Sequence, residues 1–507
     1  MKYSFEKLQN GSDIRGVALD LNPEEKVNLD EFAIKRISKG FLIHLSKKIN
    51  KPVKEISIAL GRDSRLSGDY IEKIMAETLS SYGAKVKIAG LASTPAMFMS
   101  CIFSEFDCDG SVMITASHLP QNRNGFKFFD KNGGFEKADI KEILKNAESE
   151  DILAGLKLTE PVKPIKINLM ARYAKHLRDL IITGTGQAQE PLKGLKITVD
   201  AGNGAGGFYA EDVLAPLGAD ISSSQFLNPD GTFPNHMPNP ENKEAMESIC
   251  NKVKEAKTDL GLIFDTDVDR ASAVDEKGKE INRNGIVAMA AALIAADNPG
   301  GIVVTDSITS TQLNHFLTED LKLNHLRYKR GYRNVIGKSI ELCNDGENSP
   351  LAIETSGHAA YKENYFLDDG AYLATKIVIK TALLKKLGKG ISTVISSLEE
   401  PAESIEVRFP IDGDNFKETG DSIIEELTQL TNEGKIEGGQ LEFPNYEGVR
   451  IKFHDSKVSG WLLLRKSLHD PIMPLNIESD TSGGTKIIAD RIKPILSKYE
   501  DLDISKL

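Results

Sequence analysis

A chain of 507 residues, 40% hydrophobic, holds far more apolar side chain than one core needs, and domains of about 100–200 residues predict three to four of them. Lys+Arg 63 against Asp+Glu 74 leaves a formal net charge of -11, which repels nucleic acid and anionic membrane alike, so an anionic ligand needs a locally basic pocket. Cys101, Cys108, Cys250 and Cys343 form no CxxC pair and read as small buried thiols of a reduced, cytoplasmic protein rather than a disulfide or zinc framework.

The opening Met1-Lys-Tyr-Ser-Phe-Glu-Lys7 carries charge where a secretory signal needs an apolar core, which predicts no export. Three apolar, β-branched runs then stop at polar turns. They are Ile56–Leu60 before Gly61-Arg-Asp63, Ile197–Val199 before Asp200-Ala-Gly-Asn-Gly204, and Ile302–Val304 before Thr305-Asp-Ser307. Each predicts a buried strand followed by a helix, the βα unit of a mostly parallel sheet. Gly83–Val86, Gly218–Ile221 and, more weakly, Leu326–Tyr328 predict the second strand of three copies. A last strand in each copy runs into unusual polar residues: Val112–Ile114 into Thr115–His118, Leu260–Phe264 into Asp265-Thr-Asp267, and Leu351–Ile353 into Glu354–His358.

Three similar domains thus each deliver one chemical loop, and ligands of open α/β sheets bind beyond the carboxyl ends of strands, so the loops are expected to face one central cleft. Ile286–Ala296 is the longest apolar run, too short for the roughly 20 residues of a membrane span, and predicts a buried helix opening one domain. After a junction near Glu399–Ala402, Ile405–Phe409, Val449–Phe453 and Trp461–Arg465 predict short strands, with a helix near 420–431. The fold class expected is α/β: three similar α/β domains with mixed, mostly parallel sheets (1–165, 166–284, 285–403) and an α+β domain with an antiparallel sheet (404–507).

Each loop has a chemical and a plain reading. In Thr115-Ala-Ser-His-Leu-Pro120, Pro120 stops strand pairing and Ser117 beside His118 is a nucleophile with a proton handler, or simply a turn. The sequel 121–128 adds Lys127, an acid or base if its pKa is lowered. Asp265, Asp267 and Asp269 repel one another unless a cation holds them, and oxygen-only ligation suits Mg²⁺; the alternative is a solvated acidic turn. Arg270 offers a bidentate phosphate contact or neutralises the acids. Glu354, Ser356 and His358 surround a permissive glycine and suit sugar hydroxyls, or cap a helix. Arg465-Lys-Ser-Leu-His-Asp-Pro471 is a phosphate-docking loop or a solvated basic turn, and Ser479–Thr485, with no strand before it, is a helix-capping linker.

In this order, each at a strand end, the loops resemble the α-D-phosphohexomutase superfamily of the phosphomannomutase/phosphoglucomutase type, over nearly the whole chain. Ser12-Asp-Ile-Arg-Gly16 is similar to the family's amino-terminal signature, which directs Arg15 at the active site. The resemblance implies that Ser117 is the phosphorylated serine, Lys127 and His118 handle protons, and Ser117, Asp265, Asp267 and Asp269 are the metal ligands. It assigns Glu354, Ser356, His358, Lys329, Arg465 and Ser467 to substrate, with Mg²⁺ as cofactor and hexose 1,6-bisphosphate as activator. Leu468 and His469 depart from the family's phosphate loop, and Tyr332 stands where some dual-specificity members have histidine; both bear on the sugar.

The activity implied is reversible transfer of phosphate between C1 and C6 of a hexose phosphate, with no nucleic-acid or membrane partner and an oligomeric state left open. Phosphoglucosamine mutase is the alternative within the superfamily. Outside it stand a phosphatase with an aspartyl nucleophile, which Asp265-Thr-Asp267 also resembles, and a sugar-phosphate-binding protein without turnover.

Overall fold

The computed structural model describes residues 4–413, 415–467 and 470–507. Met1–Tyr3, at the head of the charged amino-terminal stretch, and Leu468 and His469, the two departures in the phosphate loop, lie outside the described residues. The chain divides into two compact units, residues 1–293 with 356–396, and residues 294–355 with 397–507.

In the first unit, one sheet runs in the order Gln9–Asn10, Asp13–Val17, Arg123–Asp130, Gly110–Ile114, Ser57–Arg62, Lys85–Leu91, Ile165–Lys166. Ser57–Arg62 is parallel to both its neighbours, as suits the mostly apolar run Ile56–Leu60 in a strand covered on two faces. Helix Glu31–Lys48 packs on this sheet. Asp30 caps it by accepting from Ala33 N, and Ala33, Ile34, Ile37, Phe41, Leu42 and Leu45 recur at helical spacing on its buried face. Phe41 meets Phe128 of the sheet at 4.7 Å between ring centres. Each of these large side chains contributes about 1.5–3 kcal/mol by leaving water.

The second sheet runs Glu280–Ile281, Ala271–Val274, Leu260–Phe264, Ile197–Asp200, with one parallel pair between the last two. Its mixed character comes from Leu260–Phe264 turning back on itself: Phe264 pairs with Ala271, so residues 265–270 are the loop of a hairpin and not the entry to a helix. The strand expected at Gly218–Ile221 is absent. Only a single bridge, Lys196 to Asp220, remains there, because Gly218 in a left-handed conformation ends a helical turn and the Asp220 carboxylate accepts from Ser222 N and bends the chain away. The helix expected from Ile286 is Asn284–Ala292.

In the second unit, Asn324–Arg327, Ile302–Thr305 and Leu351–Ile353 are parallel in that order. A wholly antiparallel sheet follows: Glu403–Pro410, Ile472–Ser479, Ser459–Leu464, Val449–His454, Gly439–Leu441. Helices Phe416–Asn432 and Gly484–Leu496 bury their apolar faces in its core. A strand does precede Ser479–Thr485, correcting the expectation. Ile472–Ser479 lies between two other strands, and the turn after it leads into the helix with Glu403 accepting from Gly483 N at 2.6 Å and Thr485 N at 3.2 Å. Pro471 and Pro474 hide this strand in the sequence, while the alternation Met473, Leu475, Ile477 is the signal that reveals it. No helix among the described residues is long and apolar enough to cross a membrane.

Candidate active site

Strand register brings the first group of residues together. Arg62 pairs with Ile114, so the two parallel strands end side by side and Asp63 N donates to Ile114 O at 3.2 Å. The chain then turns through 115–122 and returns with Lys127 opposite Met113, while Arg15 pairs opposite Gly125 on the next strand. Arg15 Nη1 donates to Thr115 O at 3.2 Å and its Nη2 to Asp13 Oδ2 at 2.7 Å.

At the turn, Ser117 adopts φ 48°, a left-handed conformation that costs a residue with a Cβ about 1 kcal/mol or more. Thr115 Oγ1 holds it there, accepting from Ser117 N at 2.9 Å and donating to Asp63 Oδ2 at 2.7 Å. The Ser117 hydroxyl donates to Asp265 Oδ2 at 3.0 Å and accepts from Arg270 Nη2 at 3.3 Å, with His118 Nδ1 at 3.4 Å. Only 6% of Ser117 is exposed.

The hairpin loop 265–270 lies directly against it. Asp265, Asp267 and Asp269 are wholly buried, with a ligand oxygen from each within 4.8 Å of the others. Val268, between Asp267 and Asp269, has φ 68°, rare for a β-branched residue. Packing enforces this: Thr94 N donates to Asp267 O at 2.8 Å and Thr94 Oγ1 to Asp267 Oδ2, and Gly370 N donates to Val268 O at 3.1 Å. Gly357, at φ 93°, lies so close that a Cβ would stand 2.6 Å from Ala271 O.

Burial and the neighbours Asp269 and Asp267 push the Asp265 carboxyl well above its ordinary value against the pull of Arg270. At Asp269 burial acts in the same direction but is outweighed by Lys127, His358 and Arg270, which hold it ionised; Lys127 Nζ stands 2.6 Å from Asp269 Oδ2. Oδ1 of both Asp267 and Asp269 is buried without a hydrogen-bond partner. Three carboxylates out of water, with two oxygens that accept no hydrogen bond, are the donor set of a hard divalent cation, and the residues fit such an ion. Arg270 closes the group, its Nε 3.1 Å from Asp265 Oδ2 and its Nη1 donating to Asn239 Oδ1 at 3.1 Å.

His358 Nδ1 lies 2.6 Å from Asp368 Oδ2 and 4.0 Å from Asp269 Oδ1; burial lowers its pKa, but these two carboxylates prevail and raise it to about 9. His118 shifts the other way. Lost hydration and the cations Arg270 and Arg15 depress its pKa, although the ring keeps contact with solvent. Ser356 is buried in the same unit.

Glu354, Lys329, Arg465 and Ser467 belong to the second unit. Glu354 Oε1 accepts from Gly331 N at 2.6 Å and so caps helix Tyr332–Asn344, the plainer of its two readings. Lys329 is exposed, its ammonium 5.8 Å from the Tyr328 ring centre. Arg465 is 6% exposed; its Nη1 stands 3.9 Å from Glu447 Oε1 and its Nε has no hydrogen-bond partner. Ser467 N donates to Ile472 O at 2.9 Å and Ser467 Oγ accepts from Asp470 N at 3.3 Å. Sequence reasoning missed Asp13, Asp63, Arg65, Thr94, Asn239 and Asp368. The one available signal was for Asp63, a charge in the polar turn that ends the run Ile56–Leu60.

Three family models match the chain in order: phosphoglucomutase/phosphomannomutase α/β/α domain I over residues 6–153, domain II over 171–278 and domain III over 282–401. Among curated proteins, a phosphomannomutase/phosphoglucomutase of Pseudomonas putida is 28% identical over 457 residues, 88% of each chain. A phosphoglucomutase of Neisseria gonorrhoeae is 29% identical over 447 residues, 88% of this chain and 89% of its own. The fold matches the crystal structure of a phosphoglucomutase/phosphomannomutase family protein from Burkholderia thailandensis with a TM-score of 0.78, at 24% identity, over 99% of this chain and 98% of that one.

Proposed function

Since the chain belongs to the phosphoglucomutase/phosphomannomutase family and is thereby a phosphohexomutase, an isomerase of hexose phosphates, we propose that it moves phosphate between C1 and C6 of a hexose by way of phosphorylated Ser117. The observation that carries this reading is the setting of one hydroxyl. Ser117 Oγ is nearly buried, in reach of both the Arg270 guanidinium and Asp265 of a three-carboxylate loop. A plain turn serine needs neither.

In the forward half, a hexose hydroxyl oxygen attacks the phosphorus of phospho-Ser117. The P–O bond to Oγ breaks, and the hydroxyl proton leaves to a base. Lys127 is the proposed carrier of that proton, with His118 beside Oγ as the second candidate. Arg270 and Arg15 offset the charge spread over the equatorial oxygens. The bisphosphate formed then turns and returns its other phosphate to Ser117, and hexose 1,6-bisphosphate from solution would load the serine at the start. Mg²⁺, when bound by Asp265, Asp267, Asp269 and an oxygen on Ser117, would supply Lewis-acid neutralisation of the phosphoryl charge.

Glu354, Ser356, His358 and Lys329 are proposed to hold the sugar, with Arg465 and Ser467 on its distal phosphate. The four domains 1–165, 166–284, 285–403 and 404–507, and a cytoplasmic setting, go with this reading.

The test is phosphorus NMR of the protein with Mg²⁺ and a trace of bisphosphate, given glucose, mannose or glucosamine 1-phosphate in turn. A 6-phosphate product with the wild type and none with Ser117→Ala is the expected result, and the fastest sugar names the substrate. Product formed equally by Ser117→Ala removes the serine from the mechanism.

A further inference from the structure

Arg65 follows the strand Ser57–Arg62 by three residues, and its side chain is fully buried beside Asp63. Its guanidinium is used almost entirely on one loop: Nη2 donates to Ser117 O and Leu119 O, and Nη1 to Pro120 O at 2.7 Å and Arg123 O at 3.0 Å. The remaining Nε faces Asp63 Oδ2 at 3.4 Å. Asp63 in turn takes the hydroxyl of Thr115 and the backbone N–H of Arg65 at 2.9 Å. One ion pair therefore binds both ends of the turn that carries Ser117.

We propose that Arg65 is a positioning residue for the reaction, its guanidinium drawing the carbonyls of 117, 119, 120 and 123 to one point and so fixing Ser117 Oγ against Asp265 and Arg270. The proposal rests on the reading of Ser117 as the phosphoryl carrier.

Geometry and charge both support the role. Carbonyl oxygens are the negative ends of the loop's peptide dipoles, and a phosphoryl group with two negative charges beside them would be repelled. Gathering them on Arg65 neutralises them. A trans peptide sets N–H opposite C=O, so drawing Ser117 O inward turns the His118 N–H outward, away from the guanidinium. The grip is also dry. Phe233 lies over the guanidinium at 5.4 Å, and the loop bearing it approaches so closely that a Cβ on Gly231 would stand 2.5 Å from Leu66 N and Ser64 O. Hydrogen bonds to a charged donor gain strength in such a place. Four carbonyls in planar fork geometry are also what a lysine cannot serve, since it has three donors and no fixed plane.

The test compares wild type, Arg65→Lys and Thr115→Val, the last cutting the same chain at its other end, as full-length protein with Mg²⁺. Steady-state rates on a hexose 1-phosphate, thermal melting and amide exchange of residues 116–124 by mass spectrometry are measured. The expected result for Arg65→Lys is a fall in kcat of at least about tenfold with KM within about threefold, and faster exchange confined to 116–124. A wild-type kcat, a loss confined to KM, or unchanged exchange in that segment overturns the proposal. Should Arg65→Lys not fold, Thr115→Val decides by the same readings. If wild type turns over no hexose phosphate, the phosphoserine reading fails by itself, and the exchange data still decide whether Arg65 fixes the loop.

Discussion

Asp267 illustrates how a single buried carboxylate is set in place. It is wholly buried, one oxygen accepts from Thr94, the other has no partner, and its backbone carbonyl is also held by Thr94. Thr94 thus orients the carboxylate that would hold an ion. Such outer partners typically change metal affinity by about 10–100-fold, so Thr94→Val is predicted to raise the Mg²⁺ needed for half-maximal turnover by that factor, read from a Mg²⁺ activation curve. His236 serves Arg270 in a similar way, because its two ring nitrogens lie 3.0 Å from Asp200 Oδ2 and from Met237 O, fixing the segment that ends in Asn239. Burial opposes its charge, but Asp200 and the Met237 carbonyl outweigh burial and raise its pKa. A raised folded pKa gives stability that is full below the unfolded value near 6.5 and is lost as pH rises through the folded value. His236→Gln should therefore lower the melting temperature more at pH 6 than at pH 9, and an equal loss at both would refute the charged ring.

Elements set these residues by where strands end. Leu260–Phe264 and Gly110–Ile114 both return as antiparallel hairpins, so the two loops that meet at Ser117 and Asp265 are hairpin loops anchored at each end by a ladder. That anchoring lets Ser117 and Val268 stay left-handed, at about 1–3 kcal/mol each. Gly357 wedges the second loop from behind. Gly357→Ala adds a Cβ at a positive φ and 2.6 Å from Ala271 O, and is predicted to destabilise the protein by about 2–4 kcal/mol in denaturant unfolding while lowering turnover. A stable variant with normal turnover would show that the loop has slack.

At the scale of the molecule, long buried strands were the legible part of the sequence. Ile56–Leu60, apolar but for Ser57, and Leu260–Phe264 announce themselves as apolar runs that lead into charge. Gly218–Ile221 misled because it looks like Gly83–Val86 in sequence but pairs only through the bridge at Asp220, and Ile472–Ser479 was hidden by its prolines. Ser117, Asp265 and Arg270 stand out in sequence because charged or hydroxyl side chains follow buried runs, and the fold brings them into mutual contact, with Lys127 on the neighbouring Asp269. Arg65 does not stand out, since hydrogen bonds to main-chain carbonyls leave no partner type to read.

In the second unit Arg465 is buried with an unpaired Nε, an arrangement that suits an incoming phosphate. Arg465→Ala is predicted to raise KM for a hexose phosphate about tenfold or more, measured in the steady state, and an unchanged KM would remove it from the substrate site.

The central claim, that phosphate passes through Ser117, is tested most directly by loading the protein with radiolabelled hexose 1,6-bisphosphate, mapping the label by peptide sequencing, and chasing with unlabelled hexose 1-phosphate. The account predicts acid-stable label on Ser117 alone, discharged into hexose phosphate within a turnover. Label on Asp265 or elsewhere, or label on Ser117 that survives the chase, would contradict it.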